Sequence, residues 1–495
     1  MSELPSFEHI KDPDARALLS VMKMMIENQQ STIEQLSSKI DELTRLLRGS
    51  KPERMPTVDG ELKKKRKRTE TEEQKQERLR KAQETRRKNK EQKKQVETEL
   101  VEHDIAQEEL KCKACGDTEF ERTVKGKASF EYEFIPAKII QKKHIREKRM
   151  CHCGKTILTA PATKRVGDVC HHGPQLHAHV VVSKCQDHIP LHRMASQFVR
   201  WGVRLATSTL CDMFHRSARE LKPLYDRQME LIAQSEYLNG DETRLQVQGK
   251  KKTRTAWIWT FLSAKMIGFV FSHSRSGQTP VQVLAGTIGK LQVDAYTGYN
   301  HVCLPEGRER VGCWAHARRK FFDAMPNAPD AQEALKFILE LYEVEYEVAE
   351  KNALGTEHHL AMRRLVSQDT LDKFKTWLIE KKEKSLPKSG FGQAIGYTLN
   401  QWETLTRFVS DVRLPLDNNA AERALRPIAL GRKNFLFVGN DEAGQNLAIL
   451  QSLVSTCQLH GVNPQEYIAD VLIRIQTHPS SRIDELLPMN WKPQA

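Results

Sequence analysis

Glu236-Tyr-Leu-Asn-Gly-Asp-Glu-Thr-Arg-Leu-Gln-Val-Gln248 is the stretch whose reading decides the fold. It is rich in β-formers and carries an acid, Asp241, in its middle. A basic turn from Gly249 to Lys252 leads into Thr255-Ala-Trp-Ile-Trp-Thr-Phe-Leu262, and Met266-Ile-Gly-Phe-Val-Phe271 follows after another short gap. Three strands in series are predicted. Thr279-Pro280 then begins a helical segment with Val281, Val283, Leu284 and Ile288 on one face, closed by Gly289-Lys290. Leu291-Gln-Val-Asp294 is a fourth strand that ends on a second acid, and Glu309-Arg-Val-Gly-Cys-Trp-Ala-His316 reads as a fifth.

Three strands, a helix and a fourth strand make half of a ribonuclease H-like sheet. Parallel neighbours at its centre would bring Asp241 and Asp294 together. Either acid alone reads as a solvated strand end; both in this order favour a site. Two adjacent carboxylates are costly unless a cation compensates them, and oxygen-only ligands suit Mg²⁺ or Mn²⁺. A third acid is expected downstream, in Leu416-Asp417-Asn-Asn-Ala-Ala-Glu422-Arg-Ala-Leu-Arg-Pro427. Such a trio holds two metal ions about 3.5–4 Å apart, one for the attacking oxygen and one for the leaving oxygen. Asp417 stands where a helix cap belongs. Glu422 has a capping-box spacing from Asn419, but it is the longer side chain and the better one to reach from a helix to strand ends.

Gly240-Asp-Glu-Thr243, Leu291-Gln-Val-Asp-Ala-Tyr-Thr-Gly-Tyr299 and Asp417-Asn-Asn-Ala-Ala-Glu-Arg-Ala-Leu-Arg-Pro427 resemble the signatures of insertion sequence 66 family transposases, which are bacterial DDE-type enzymes. The resemblance runs through nearly the whole chain. It implies that Asp241, Asp294 and Glu422 are the catalytic acids, holding two Mg²⁺ (or Mn²⁺) ions per active site. It also implies that the substrates are the terminal inverted repeats of a mobile element and a target DNA, and that small accessory proteins encoded beside the enzyme take part. Cys313 and His316 match a C-x-x-H pair found in several DDE groups and are expected to act beside the metals.

At 495 residues the chain is long enough for several domains. With 39% hydrophobic and 29% charged residues it has the balance of a soluble protein with a real core. No apolar run approaches the roughly 20 residues of a membrane span, and the opening Met-Ser-Glu-Leu-Pro lacks a signal-peptide shape. Ten cysteines, four of them in two close pairs, point to metal ligands and reduced thiols. A cytoplasmic, nucleoid-associated bacterial setting is expected. The net charge of +14 is uneven: residues 63–94 hold 16 lysines and arginines against 6 acids. This run opens with Lys63, Lys64, Lys65, Arg66, Lys67 and Arg68 and suits the phosphates of nucleic acid. Its plainer reading is a solubilising linker.

The expected architecture is multidomain α+β. Residues 1–50 read as a coiled-coil helix: Leu19, Met22, Ile26, Gln29, Ile33, Leu36, Ile40, Leu43 and Leu47 step by three and four, a seam for a homo-oligomer. Residues 51–108 are the basic linker, with no apolar face to bury. Residues 109–160 read as a zinc ribbon, with Cys112, Cys115, Cys151 and Cys153 as four thiolates for one structural Zn²⁺. His144 and His152 are alternates, because the second pair is C-x-C where the family shows C-x-x-C; Cys170, His171 and His172 are weaker candidates. Residues 161–233 are helical, and the break at Gly202 before a helix capped by Thr207 or Ser208 has helix-turn-helix spacing. Residues 234–450 form the catalytic core, with an all-helical insertion over about 325–413 whose first face is Leu335, Ile338, Leu339, Tyr342, Tyr346 and Ala349. Residues 451–495 form a helical C-terminal element. Arg318, Arg319, Arg426, Arg432 and Lys433 are further candidates for DNA phosphates.

The expected function is transposition: metal-dependent cleavage at the element ends, then strand transfer. A metal-dependent nuclease or resolvase on the same fold would have no use for the coiled coil. A non-catalytic DNA-binding regulator would have no use for three acids in strand order. Replacing the cations of residues 63–94 by glutamine should weaken DNA binding equally across sequences and flatten its salt dependence, as read by anisotropy titrations over a range of ionic strengths. An unchanged slope would place the phosphate contacts elsewhere.

Overall fold

The computed structural model describes residues 76, 80, 83, 84, 139–150, 157–161, 163–167, 170–249 and 252–493. The heptad seam, Lys63 to Arg68, and Cys112, Cys115, Cys151 and Cys153 lie outside them. The four described residues of the basic stretch are helical.

A short antiparallel ribbon, β1 (Lys148–Met150) with β2 (Ile157–Thr159), is followed by α1 (Pro174–Cys185), α2 (Leu191–Arg200) and α3 (Thr207–Ala233). Gly202 takes φ +81° in the turn between α2 and α3. The residue capping α3 is Ala206, without a side-chain bond, so neither Thr207 nor Ser208 has the capping role expected of it. Leu210, Phe214, Leu221 and Leu224 bury one stripe of this helix at three- and four-residue spacing.

β3 (Tyr237–Val247), β4 (Arg254–Leu262) and β5 (Ile267–Ser272) form an antiparallel meander. A helical crossover, α4 (Gln278–Leu284), returns the chain to β6 (Gly289–Gln292), parallel to β3. After a 3-10 turn at Thr297–His301, β7 (Arg308–Val311) runs parallel to β6. The order β5-β4-β3-β6-β7 puts β3 at the centre. A core lies on each face: Leu245, Ala256, Ile258 and Phe269 on one, Leu238, Trp259, Phe261 and Leu291 on the other. That is why β4 reads as an almost unbroken apolar run.

Two boundaries differ from the sequence reading. α4 stops at Leu284 and leaves Ile288 74% exposed. Gly289 opens β6 rather than closing the helix: at φ +120°, a Cβ there would stand 2.3 Å from the Glu236 carbonyl oxygen. β7 ends at Val311, so Cys313 caps the next helix and His316 lies in its first turn.

That helix is α5 (Trp314–Ala324), followed by α6 (Ala331–Glu350), α7 (Glu357–Met362), a π-helical turn at Arg363–Ser367, α8 (Gln368–Glu383), α9 (Gly390–Asn400) and α10 (Trp402–Thr406). α6 buries Ala331, Ala334, Ile338, Leu341, Tyr342 and Val348, a face rotated from the expected one, with Ala349 exposed. Its apolar surface is wide enough for two registers, and the small alanines allow the closer approach to a neighbour. The chain then enters α11 (Asn419–Phe435), α12 (Asp441–Leu459) and α13 (Pro464–Arg474), and a last 3-10 turn at Ser480–Leu486. α12 is buried almost all round, from Gly444 to Cys457. Among the described residues no helix is long and apolar enough to cross a membrane.

Arg363 ties these helices to the segment that leads into α11. It forks onto both oxygens of Glu345 at 2.7 Å and donates to the carbonyls of Phe408, Asp411 and Leu414. Its side chain is 1% exposed. Arg363→Met should cost about 3–5 kcal/mol in urea unfolding, because Glu345 is left with only His359 opposite its half-buried charge and three carbonyls each lose a donor. Arg363→Lys should recover only part of the loss, since an ammonium cannot make the fork.

Candidate active site

Asn239 and Gln292 are the last paired residues of β3 and β6. Two positions further along each chain stand Asp241 and Asp294, on the same face, because side chains alternate with a period of two. The Glu242 amide donates to Asp241 Oδ1 at 2.8 Å, and the Tyr296 amide to Asp294 Oδ1 at 2.9 Å. Each aspartate thus has one oxygen held by the backbone of its own turn.

The third acid arrives on α11, which is docked over this face by a pair of buried amides. Asn239 Nδ2 donates to Asn418 Oδ1 at 2.8 Å, and Asn418 Nδ2 donates to the Gly240 carbonyl at 2.7 Å. Asn418 occupies the cap position of α11, yet its side chain spans to the strand instead of capping. The Asn418 amide donates to Cys313 Sγ at 3.2 Å. Burial pushes the Cys313 thiol up to about 12, which keeps it neutral.

Glu422 lies one turn into α11. Its Oε1 is 3.7 Å from Arg319 and 3.9 Å from His316, both on α5. The Asp241 carboxyl is held well above the usual carboxylate range, first by burial, then by the charges of Glu242, Asp294 and Glu422. Asp417 is engaged differently: Oδ1 accepts the Asn419 amide at 3.1 Å, and Oδ2 accepts the Tyr342 hydroxyl of α6 at 2.8 Å. Since Asn419 is the first helical residue, its spacing to Glu422 does not form a capping box.

The donor set of Asp241, Asp294 and Glu422 is all oxygen and carries excess negative charge, which is the chemistry a hard divalent cation requires. Among the described residues, however, no three His, Cys, Asp or Glu side chains converge closely enough to hold a metal ion. The three acids share one corner of the sheet, with Glu422 drawn toward Arg319 and His316 of α5.

Other expected residues fall in different places. Arg318 is 3% exposed, with its guanidinium near the Phe322 ring, so it is buried and out of reach of a phosphate. Arg432 donates to the Arg244 carbonyl and to Thr243, clasping α11 to β3. Arg426 and Lys433 are exposed. Cys170 meets His177 at 3.2 Å, and His177 meets Ser217 at 2.9 Å. Burial lowers His177 to about 4, so its neutral ring bridges Cys170 and Ser217 inside the helical core.

Glu242 escaped the sequence reading. It lies on the opposite face from Asp241, where it accepts from Tyr299 Oη at 2.7 Å and pairs with Arg275 at 2.6 Å. Arg275 stacks over Tyr296, 4.1 Å from its centroid. The available signal was the alternation itself, which puts Glu242 among the residues that cross from β3 to Trp259.

Asp241→Asn should raise the thermal midpoint of the metal-free protein by about 2–4 °C. It removes a buried charge facing other charges. The native state holds the Asp241 proton more tightly than the unfolded chain does, so the penalty grows as pH rises from the unfolded carboxylate range through the raised value. The gain should therefore shrink under acidic conditions, which scanning fluorimetry at two pH values will show.

Residues 170–446 match the family described as Transposase IS66 family, and residues 452–489 match the IS66 C-terminal element. Two uncharacterized proteins of Sinorhizobium fredii are similar along most of their length. One, y4jD, is 35% identical over 382 residues, covering 73% of this chain and 74% of its own. The other, y4hP, is 33% identical over 408 residues, covering 77% and 73%. The chain belongs to the IS66 family of transposases.

Proposed function

We propose that this transposase cleaves the ends of its insertion sequence and joins them to target DNA, with Asp241, Asp294 and Glu422 as the catalytic acids of a ribonuclease H-like core. One observation carries the reading: two acids leave adjacent parallel strands at the same level and on the same face, beneath the helix that bears the third. The strand order, an antiparallel meander extended by two parallel strands across a helical crossover, supports the core assignment.

Asp241, Asp294 and Glu422 would hold Mg²⁺ or Mn²⁺, which when bound stabilises charge on the phosphodiester oxygens. The chain's own residues set the geometry. The backbone amides of Glu242 and Tyr296 orient the two aspartates, and the asparagine pair sets how far along β3 the helix sits. Cys313 holds the first turn of α11, Arg319 places positive charge beside Glu422, and the His316 ring stands next to it. At each element end, a water oxygen attacks phosphorus in line and the bond to the 3′ oxygen breaks, releasing a 3′-hydroxyl. That hydroxyl attacks a phosphorus of the target and displaces its 3′ oxygen in turn. Each step exchanges one oxygen for another, so no covalent protein–DNA link is needed. In the same reading the N-terminal heptads join copies of the chain into a homo-oligomer, Cys112, Cys115, Cys151 and Cys153 hold a structural zinc, and accessory proteins join at the DNA.

Glu422→Gln should lower cleavage and joining of end DNA by roughly a hundredfold or more while hardly changing thermal stability. Asp417→Asn should keep most activity, because an amide can still close the turn and meet Tyr342. Strand-cleavage and strand-transfer gels decide the matter: an active Glu422→Gln beside a dead Asp417→Asn moves the third ligand to Asp417.

A further inference from the structure

The end of α11 leaves helical geometry in a way that its neighbours enforce. Leu436 has φ +61° and ψ −47°. The Phe437 amide donates to the Phe435 carbonyl at 2.6 Å, closing a three-residue turn of positive φ that residues with a side chain rarely adopt. Both flanks are anchored. The Phe435 ring lies 4.3 Å from the Lys184 ammonium, and Val438 is buried and bonded to Gln246 of β3 and to Gln248 just beyond it. Between these anchors, Leu436 and Phe437 stand 64% and 40% exposed. A strained turn that presents two large apolar side chains to solvent runs against both backbone preference and burial, and such strain concentrates at functional contacts.

The surface beside the turn indicates the partner. From Glu422, the positions Arg426, Leu430 and Lys433 follow one face of α11 toward the turn at the spacing of helical neighbours. All three are exposed. After Glu422 the helix holds Arg423, Arg426, Arg432 and Lys433 and no acid. A cationic stripe that ends on an apolar knuckle suits duplex DNA, with phosphates along the stripe and a base step at its end. At 1.5 Å per residue, Leu436 lies about 21 Å from Glu422, or about six base pairs of duplex.

We propose that the Leu436–Phe437 turn wedges into a base step of bound DNA about six base pairs from the cleavage point, partly unstacking it. The inference rests on the reading of Glu422 as part of a DNA-cleaving site. Its test uses the full-length protein and a duplex of the element's own terminal repeat, with 2-aminopurine placed at successive positions on either side of the cut. Wild-type protein should raise the fluorescence of a probe near the sixth position. Leu436→Gly, which suits the positive φ and should fold at least as stably, should abolish that rise and weaken binding roughly tenfold; Phe437→Ala should do the same in part. If the wild-type protein binds and cuts the duplex but no probe near that position responds, the wedge is wrong and the transposase reading stands. A response that survives both substitutions also overturns the wedge. Wild-type protein that neither binds nor cuts the duplex overturns both.

Discussion

Asn239 on the central strand and Asn418 at the head of α11 bond to each other, and Asn418 also bonds to the Gly240 carbonyl. Both amides are buried, and buried amides must find partners. A slide of α11 along the sheet by one residue would leave at least two of these groups unsatisfied, at about 1–3 kcal/mol each. The helix therefore has one register on β3, and Glu422 inherits its position from that register. Gln292 extends the same constraint, donating to the carbonyls of Gly312 and Pro415. Strand β6, the start of α5 and the approach to α11 thereby meet at one polar knot just below the acids.

The charges around this knot are balanced unevenly. Glu242 is as buried as its neighbour, but Arg275 and Tyr299 satisfy it. Asp241 faces two further acids and has only the Glu242 amide on one oxygen. A fold that compensates one acid and leaves the adjacent one exposed to repulsion gives up stability where a ligand can restore it.

The helical insertion acts as a buttress for this arrangement. Arg363 fastens the chain between Phe408 and Leu414, and Tyr342 fastens Asp417, so both supports of the third acid come from helices that carry no acid of the trio. Asp417 and Glu422 are engaged differently as well. Asp417 has its oxygens committed to the turn and to Tyr342. Glu422 projects from a helix that is already fixed and faces Arg319 and His316 of α5.

Periodicity by itself marked the strand series, the crossover helix and the strand positions of Asp241 and Asp294. Each of these depends on residues close in sequence and on alternation that any sheet imposes. The preference for Glu422 over Asp417 rested on side-chain length and cap position, which are local, and on the family resemblance. Tertiary structure alone decided the rest. Asn239 and Asn418 are 179 residues apart, and nothing local marks either as a bridge. Gly289 looks like a helix stop until the Glu236 carbonyl is seen beside it, and Arg318 looks like a phosphate ligand until packing encloses it. Leu436 carries no sign of a positive φ, because that conformation is imposed by Phe435 in the core and Val438 on the sheet. Local preference sets which elements form; satisfaction of buried polar groups and close packing set where each one ends and what it holds.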